Sequence, residues 1–129
     1  MKKSDPTALM DLSEESSQRL VADYLDRTDL LWCHVPNGGA RNKAEGGKLK
    51  AQGCKPGVPD VFIFTKPKKI NYSDKIGLAI ELKRVSGGHP SPNQKRWLNS
   101  LSKQGWVTAV CHGHRAAIDL INEVYGIYK

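Results

Sequence analysis

Two runs decide how this chain is read: Gly57-Val58-Pro59-Asp60-Val61-Phe62-Ile63-Phe64 and, after a basic connection, Ile76-Gly77-Leu78-Ala79-Ile80-Glu81-Leu82-Lys83. Both are short, apolar and rich in β-branched or aromatic residues, and Lys, Pro, Asn, Ser and Asp separate them, so they predict the paired strands of a hairpin. Antiparallel pairing sends Asp60, which opens the first strand, to the same end as Glu81 and Lys83, which close the second. Side chains alternate along a strand, so Glu81 and Lys83 share one face and Leu82 takes the other. Charges on one face of an otherwise hydrophobic strand need a reason. Two carboxylates beside an ammonium suit a hard divalent cation and can orient or deprotonate an attacking water. The plainer alternative is an exposed strand end at Glu81 and Lys83, with Asp60 merely following a turn. The ordered set of Pro-Asp, strand, hairpin, strand and Glu-x-Lys favours the metal site.

The chain has 129 residues and a formal charge of +7. That length suits one domain with a core of its own. The basic balance, with an isoelectric point near 9.4, leads one to expect a polyanionic partner. Cys33, Cys54 and Cys111 are odd in number and widely spaced, which argues for free thiols in a reducing compartment, with Cys33 and Cys111 in the core. Neither an apolar leader core nor a run of about 18 apolar residues is present. The expectation is a cytoplasmic protein with no membrane association.

Upstream of the hairpin, residues 1–12 are polar and expected to form a flexible N-terminal segment ahead of a single domain over 13–129. Ser13-Glu14-Glu15 starts a helix, with Ser13 as N-cap and the carboxylates complementing its dipole. Leu20, Val21, Tyr24 and Leu25 make its apolar stripe, and Glu14 and Gln18 share a face with Val21. Glu14 either serves the dipole alone or faces the cleft. Leu30 to Val35 reads as a strand, and Pro36-Asn37-Gly38-Gly39 forces a turn that permits close approach by a phosphate. The following segment to Gly53 is basic and weakly helical, broken by Gly46-Gly47. With Asn37, its cations Arg41, Lys43, Lys48 and Lys50, together with Lys55 and Arg84, are the candidate contacts to a phosphate backbone, the plainer alternative being a solvated basic face.

Downstream, Ser91 as N-cap and Pro92 at the first helical position start a helix that ends near Gln104-Gly105. Gln94 sits in its opening turn, either as a surface amide or as an amide orienting a water or phosphate beside the metal. Trp106 to Cys111 is a further strand, and Arg115 to about Tyr125 a last helix. Cys111-x-x-His114 lacks a second ligand pair for zinc. Ser100-x-x-Lys103 lacks the companion motifs of a hydrolase nucleophile. The sum is one mixed β-sheet flanked by α-helices.

Taken together, Glu14-x-x-x-Gln18, Pro36-Asn37-Gly38-Gly39, Lys50-Ala51-x-Gly53, Gly57-Val58-Pro59-Asp60, Glu81-Leu82-Lys83 and Ser91-Pro92-x-Gln94-x-x-Trp97 resemble the PD-(D/E)xK nuclease superfamily. Within it the chain is similar to the virus-type replication-repair nuclease (VRR-NUC) domains, phage-type and stand-alone, over about residues 13–125. The resemblance implies an α/β restriction-endonuclease-like core and metal-dependent hydrolysis of DNA phosphodiesters. Asp60, Glu81, the Leu82 backbone carbonyl and Glu14 would hold one or two Mg2+ or Mn2+ ions. Lys83 would position or activate the water, and Gln94 would support the site. The implied substrate is branched DNA, a four-way (Holliday) junction above all, cut by a homodimer in replication, repair or recombination. The alternatives are a flap nuclease or exonuclease of the same superfamily, or a basic DNA-binding module without catalysis.

Overall fold

Ser13 opens helix α1 (Glu14–Asp26) in the computed structural model, which describes residues 11–36 and 43–127. Its hydroxyl accepts the Ser16 N–H, so one of the helix's orphan donors is satisfied, while Glu14 and Glu15 meet the positive end of the dipole. Val21, Tyr24 and Leu25 are buried along one stripe, as their spacing predicts. The chain continues through β1 (Trp32–His34), α2 (Lys43–Ala51), β2 (Val61–Ile63), β3 (Gly77–Lys83), α3 (Pro92–Lys103), β4 (Trp106–His112) and α4 (His114–Tyr125).

The strands form one sheet in the order β1-β2-β3-β4. The β1–β2 and β2–β3 pairs are antiparallel and β3–β4 is parallel. A parallel pair needs a long crossover, and α3 supplies it. Alternation then separates two faces. Val61, Ile63, Leu78, Ile80 and Leu82 point into a core built with Val21 and Leu25 of α1 and Ala117, Ile121 and Val124 of α4. Each such side chain, fully buried, contributes about 1.5–3 kcal/mol. Glu81 and Lys83 therefore lie on the opposite face, under α3. That face also carries an aromatic cluster in which Phe62 and Phe64 meet the Trp106 ring edge-on at 5.4 and 5.7 Å. A Cβ on Gly77 would fall 2.6 Å from both the Ile63 carbonyl oxygen and the Trp106 ring, so only glycine lets the strands and the indole close there.

Four sequence expectations need correction. Strand β2 spans only Val61–Ile63, without Asp60 and Phe64 at either end of the expected strand. The connection from 64 to 76 is a folded segment with a 3-10 turn at Ile70–Tyr72, in which the Lys66 ammonium donates to the Ser73 and Lys75 carbonyls. Helix α2 runs through Gly46-Gly47 without a break. Two exposed glycines cost about 1 kcal/mol each, less than is needed to end a helix otherwise rich in Lys, Ala and Leu. Cys33 is exposed because β1 is an edge strand; Cys111 is buried, and burial raises its thiol to about 11. At the start of the described residues, Asp11 accepts hydrogen bonds from Arg84 Nε at 3.3 Å and from the Ser86 hydroxyl at 2.6 Å.

Candidate active site and metal centre

The register of the central hairpin decides which charges meet. Val61 pairs with Ile80, so Asp60, one residue earlier, comes opposite Glu81, one residue later. Asp60 is held from three directions. Its backbone carbonyl accepts the Val35 N–H at 2.8 Å and lies 2.7 Å from His34 Nδ1. A carbonyl only accepts, so Nδ1 carries the proton and Nε2 is left as the basic nitrogen. Its carboxylate Oδ2 accepts the Leu82 N–H at 2.7 Å. In an extended strand the N–H and C=O of one residue point the same way, so the Leu82 carbonyl also faces the gap beyond the end of β2.

Glu81 is 2% exposed and Lys83 9%. Lys83 Nζ lies 3.7 Å from Glu81 Oε2, and the Gln94 amide donates to the same oxygen at 3.1 Å. Gln94 is aimed by its own helix end. In the capping box of α3 its Oε1 accepts the Ser91 N–H at 2.8 Å, which leaves the amide nitrogen turned toward Glu81. The other Glu81 oxygen, Oε1, is buried and has no hydrogen-bond partner among the described residues. Burial pushes the Glu81 carboxyl up, the neighbouring Asp60 carboxylate adds to this, Lys83 opposes it and the Glu14 charge adds a little, with the outcome at about 9. In the protein alone the Glu81 carboxyl therefore favours its protonated form well above the range of an ordinary carboxyl.

An orphaned buried carboxyl oxygen beside a second carboxylate fits a hard cation. Divalent charge would relieve the desolvation and the repulsion that now keep Glu81 protonated, and oxygen donors are what magnesium or manganese takes. Among the described residues no group of three His, Cys, Asp or Glu gathers as a ligand cluster. Asp60 and Glu81 form a pair and Glu14 stays outside it, near enough for its charge to reach Glu81. One or two carboxylates, completed by water and substrate phosphate, are the usual magnesium set. Glu15 instead lies 3.7 Å from Arg19 on the exposed side of α1. On the same helix the Gln18 amide nitrogen and oxygen are buried, with no hydrogen-bond partner among the described residues.

The expected DNA contacts fare unevenly. Asn37 and Arg41 lie outside the described residues, as does the side chain of Lys43. Lys48, Lys50 and Lys55 are exposed. Arg84 is exposed but paired with Asp11 at 3.2 Å. The Ser86 hydroxyl and the Arg84 guanidinium hold the Asp11 carboxyl below its ordinary range. The residue that sequence reasoning passed over is His34, which read only as part of a strand. Its signal was present as a polar residue closing an apolar run, but its neighbour Asp60 is 26 positions away.

Gly57 sets the approach to the site. Its φ is +90°, and a Cβ there would sit 2.6 Å from the Asn93 backbone carbon, so the turn before Asp60 rests directly on the first turn of α3.

The VRR-NUC domain family profile matches residues 12–115. A solved structure described as a VRR_NUC domain protein superimposes with a TM-score of 0.75 over 92% of each chain, at 26% sequence identity. No curated protein sequence matches the chain. A profile that takes in the first helix, the paired carboxylates, Lys83 and Gln94 places this chain in the VRR-NUC domain family, nucleases of the PD-(D/E)xK type.

Proposed function

We propose that this protein is a metal-dependent endonuclease that hydrolyses phosphodiester bonds in branched DNA, a four-way junction above all, in replication, repair or recombination, and that it acts as a homodimer on one or two Mg2+ or Mn2+ ions. The observation that carries the metal is Glu81 Oε1, a buried carboxyl oxygen with no partner among the described residues, set against the Asp60 carboxylate. Asp60, Glu81 and the Leu82 carbonyl would hold the ion, with Glu14 reaching it through water. A bound divalent ion would lower the pKa of a water and offset charge on the phosphorane-like transition state. Lys83, on the same face as Glu81, orients that water and neutralises a phosphate oxygen. Gln94 keeps the Glu81 carboxylate turned into the cleft. His34 and Val35 hold the Asp60 backbone, so the carboxylate is positioned before substrate arrives.

Lys48, Lys50 and Lys55 supply the phosphate contacts on the approach to Asp60, which makes binding salt-dependent. Four-way junctions and a homodimer are favoured because symmetric cleavage of two strands wants a two-fold axis. The rival, a DNA-binding module without catalysis, is disfavoured by two carboxylates held close to a phosphate path, where they would only repel it.

The test is a cleavage panel of four-way junction, flap, nicked duplex, linear duplex and single strand in magnesium and manganese, with sizing by light scattering. Asp60→Asn, Glu81→Gln and Lys83→Ala should each abolish cutting while binding in calcium stays within a few-fold. Full activity of the first two variants would remove the proposal. Preference for the flap or for strand ends would replace the junction by the flap or exonuclease reading.

A further inference from the structure

About a quarter-turn around α3 from Gln94, the residue that meets Glu81, lies an open groove of about 380 Å³, lined by Lys55, Pro56, Asn93, Arg96, Trp97 and Ser100. Its geometry follows from local sequence. Positions 93, 96, 97 and 100 recur at helical spacing and form one stripe of α3. Gly57 lets the Lys55-Pro56 turn lie against Asn93 as the opposite wall. Helix α3 has no fully buried residue, so Trp97 is only partly covered. The floor is an indole, a proline ring and aliphatic stems, and the rim carries two cations, Lys55 and Arg96, both exposed. The Arg96 guanidinium is steered by a hydrogen bond to the Asn93 side chain.

This combination has a chemistry. A flat aromatic surface with an apolar wall accepts a planar ring, and cations at the lip accept the phosphates on either side of it. Base stacking on an aromatic side chain within a basic groove is how proteins hold unpaired nucleotides, and it tolerates any base. The volume falls in the ordinary range of ligand clefts, about 300–1,000 Å³. Position argues the same way. One wall leads through Val58-Pro59 into Asp60, and the other carries Gln94, which donates to Glu81. The groove and the carboxylate pair are thus built on the same two walls.

We propose that this groove is a nucleotide subsite, in which the base of an unpaired nucleotide at a DNA branch point, adjacent to the cut phosphate, stacks on Trp97 while Lys55 and Arg96 neutralise its flanking phosphates. The inference rests on the nuclease reading above and refines it, because it makes an unpaired base at the branch part of what is recognised. Flaps and splayed arms carry unpaired bases, and a four-way junction supplies one when a pair at its branch point opens, whereas a linear duplex holds every base in its stack, so the subsite selects branched over linear DNA.

The experiment uses the whole chain and two substrate series, a four-way junction and a splayed-arm DNA, in which single nucleotides around the branch are replaced in turn by an abasic analogue. Cleavage is followed in manganese, and binding of Asp60→Asn is followed in calcium by anisotropy. One abasic position should weaken both binding and cleavage by about 5- to 100-fold. Trp97→Leu should show the same loss on intact DNA and no further loss at that position. Ser100→Phe, which fills the groove from an exposed position, should behave alike, so a folding defect of the Trp97 variant does not decide the matter. A flat abasic profile, or an abasic loss that is undiminished in both variants, overturns the proposal. So does a flat profile with Ser100→Phe changing only the oligomeric mass, which would assign the groove to a protein contact. Absence of cleavage with a persisting abasic effect on binding would instead overturn the nuclease reading and leave the subsite standing.

Discussion

Glu81→Gln should stabilise the metal-free protein while destroying the proposed activity, and the size of the gain follows from the site. In the unfolded chain this carboxyl ionises near 4.5, whereas in the folded protein it keeps its proton to about 9. At about pH 7.5 folding must therefore take up a proton against a gap of roughly three pH units, a cost of about 4 kcal/mol at 1.4 kcal/mol per unit. Glutamine needs no proton. Against that stands the poorer fit of an amide where the carboxyl oxygen Oε2 meets Gln94 and Lys83, about 1.5–3 kcal/mol for contacts with charged groups, partly recovered by the new amide. The net gain is about 1–3 kcal/mol, or roughly 4–10 °C in Tm for a domain of this size. The pH dependence has a definite sign. A carboxyl raised in the folded state binds more protons there than in the unfolded state, so its contribution to stability is full below 4.5, falls as pH rises toward about 9 and is flat beyond. Thermal or urea unfolding in chelator at several pH values should show this fall in wild type and a shallower profile in Glu81→Gln. Magnesium should raise the wild-type Tm, more at pH 8 than at pH 6, and leave the variant unmoved. Parallel pH profiles, with Glu81→Gln the less stable at every pH, would refute the reasoning and make Glu81 an ionised partner of Lys83.

Gly57→Ala places a methyl 2.6 Å from the Asn93 backbone at a φ of +90°, and should cost about 2–4 kcal/mol with a loss of cleavage that calcium-supported binding does not share, read by urea unfolding and the junction assay. Gln94→Ala removes half of the capping box and the donor to Glu81, for about 1–2 kcal/mol. Gln94→Glu keeps the cap but brings a third carboxyl to the pair, so its deficit in metal-free unfolding should grow between pH 5 and pH 8. Asp11→Ala releases the Arg84 guanidinium, so junction binding in calcium should tighten at low salt, and the slope of log K against log salt should steepen by about 1. Restoring the original slope with Arg84→Ala in that background would identify the released cation as the cause.

Much of the site is legible in the chain because its logic is local. Asp60 follows Pro59 and opens a strand, Glu81 and Lys83 are two apart on another, and Gln94 is the third helical position after a Ser91-Pro92 start. Period-two alternation alone tells that Glu81 and Lys83 share a face, and antiparallel pairing brings Asp60 to them. Sequence patterning errs where a partner far along the chain decides. Cys33 sits in an apolar run, yet its strand has a neighbour on one side only. Arg84 looks like a free cation until Asp11 reaches it across 73 positions. His34 looks like a strand residue until the Asp60 carbonyl comes within 2.7 Å.

The sequence by itself thus determines the sheet-and-helix composition, the central hairpin and the identity of the charged residues that meet at its end, because strand alternation and helix capping are properties of neighbouring residues. Only the tertiary structure decides that one Glu81 oxygen is buried without a partner among the described residues, that Gln94 points its amide at the other, and that the Lys55–Gly57 turn closes a groove against Trp97. Those outcomes depend on which backbones pack against which, and Gly57 resting on Asn93 is a contact between residues that no spacing rule connects.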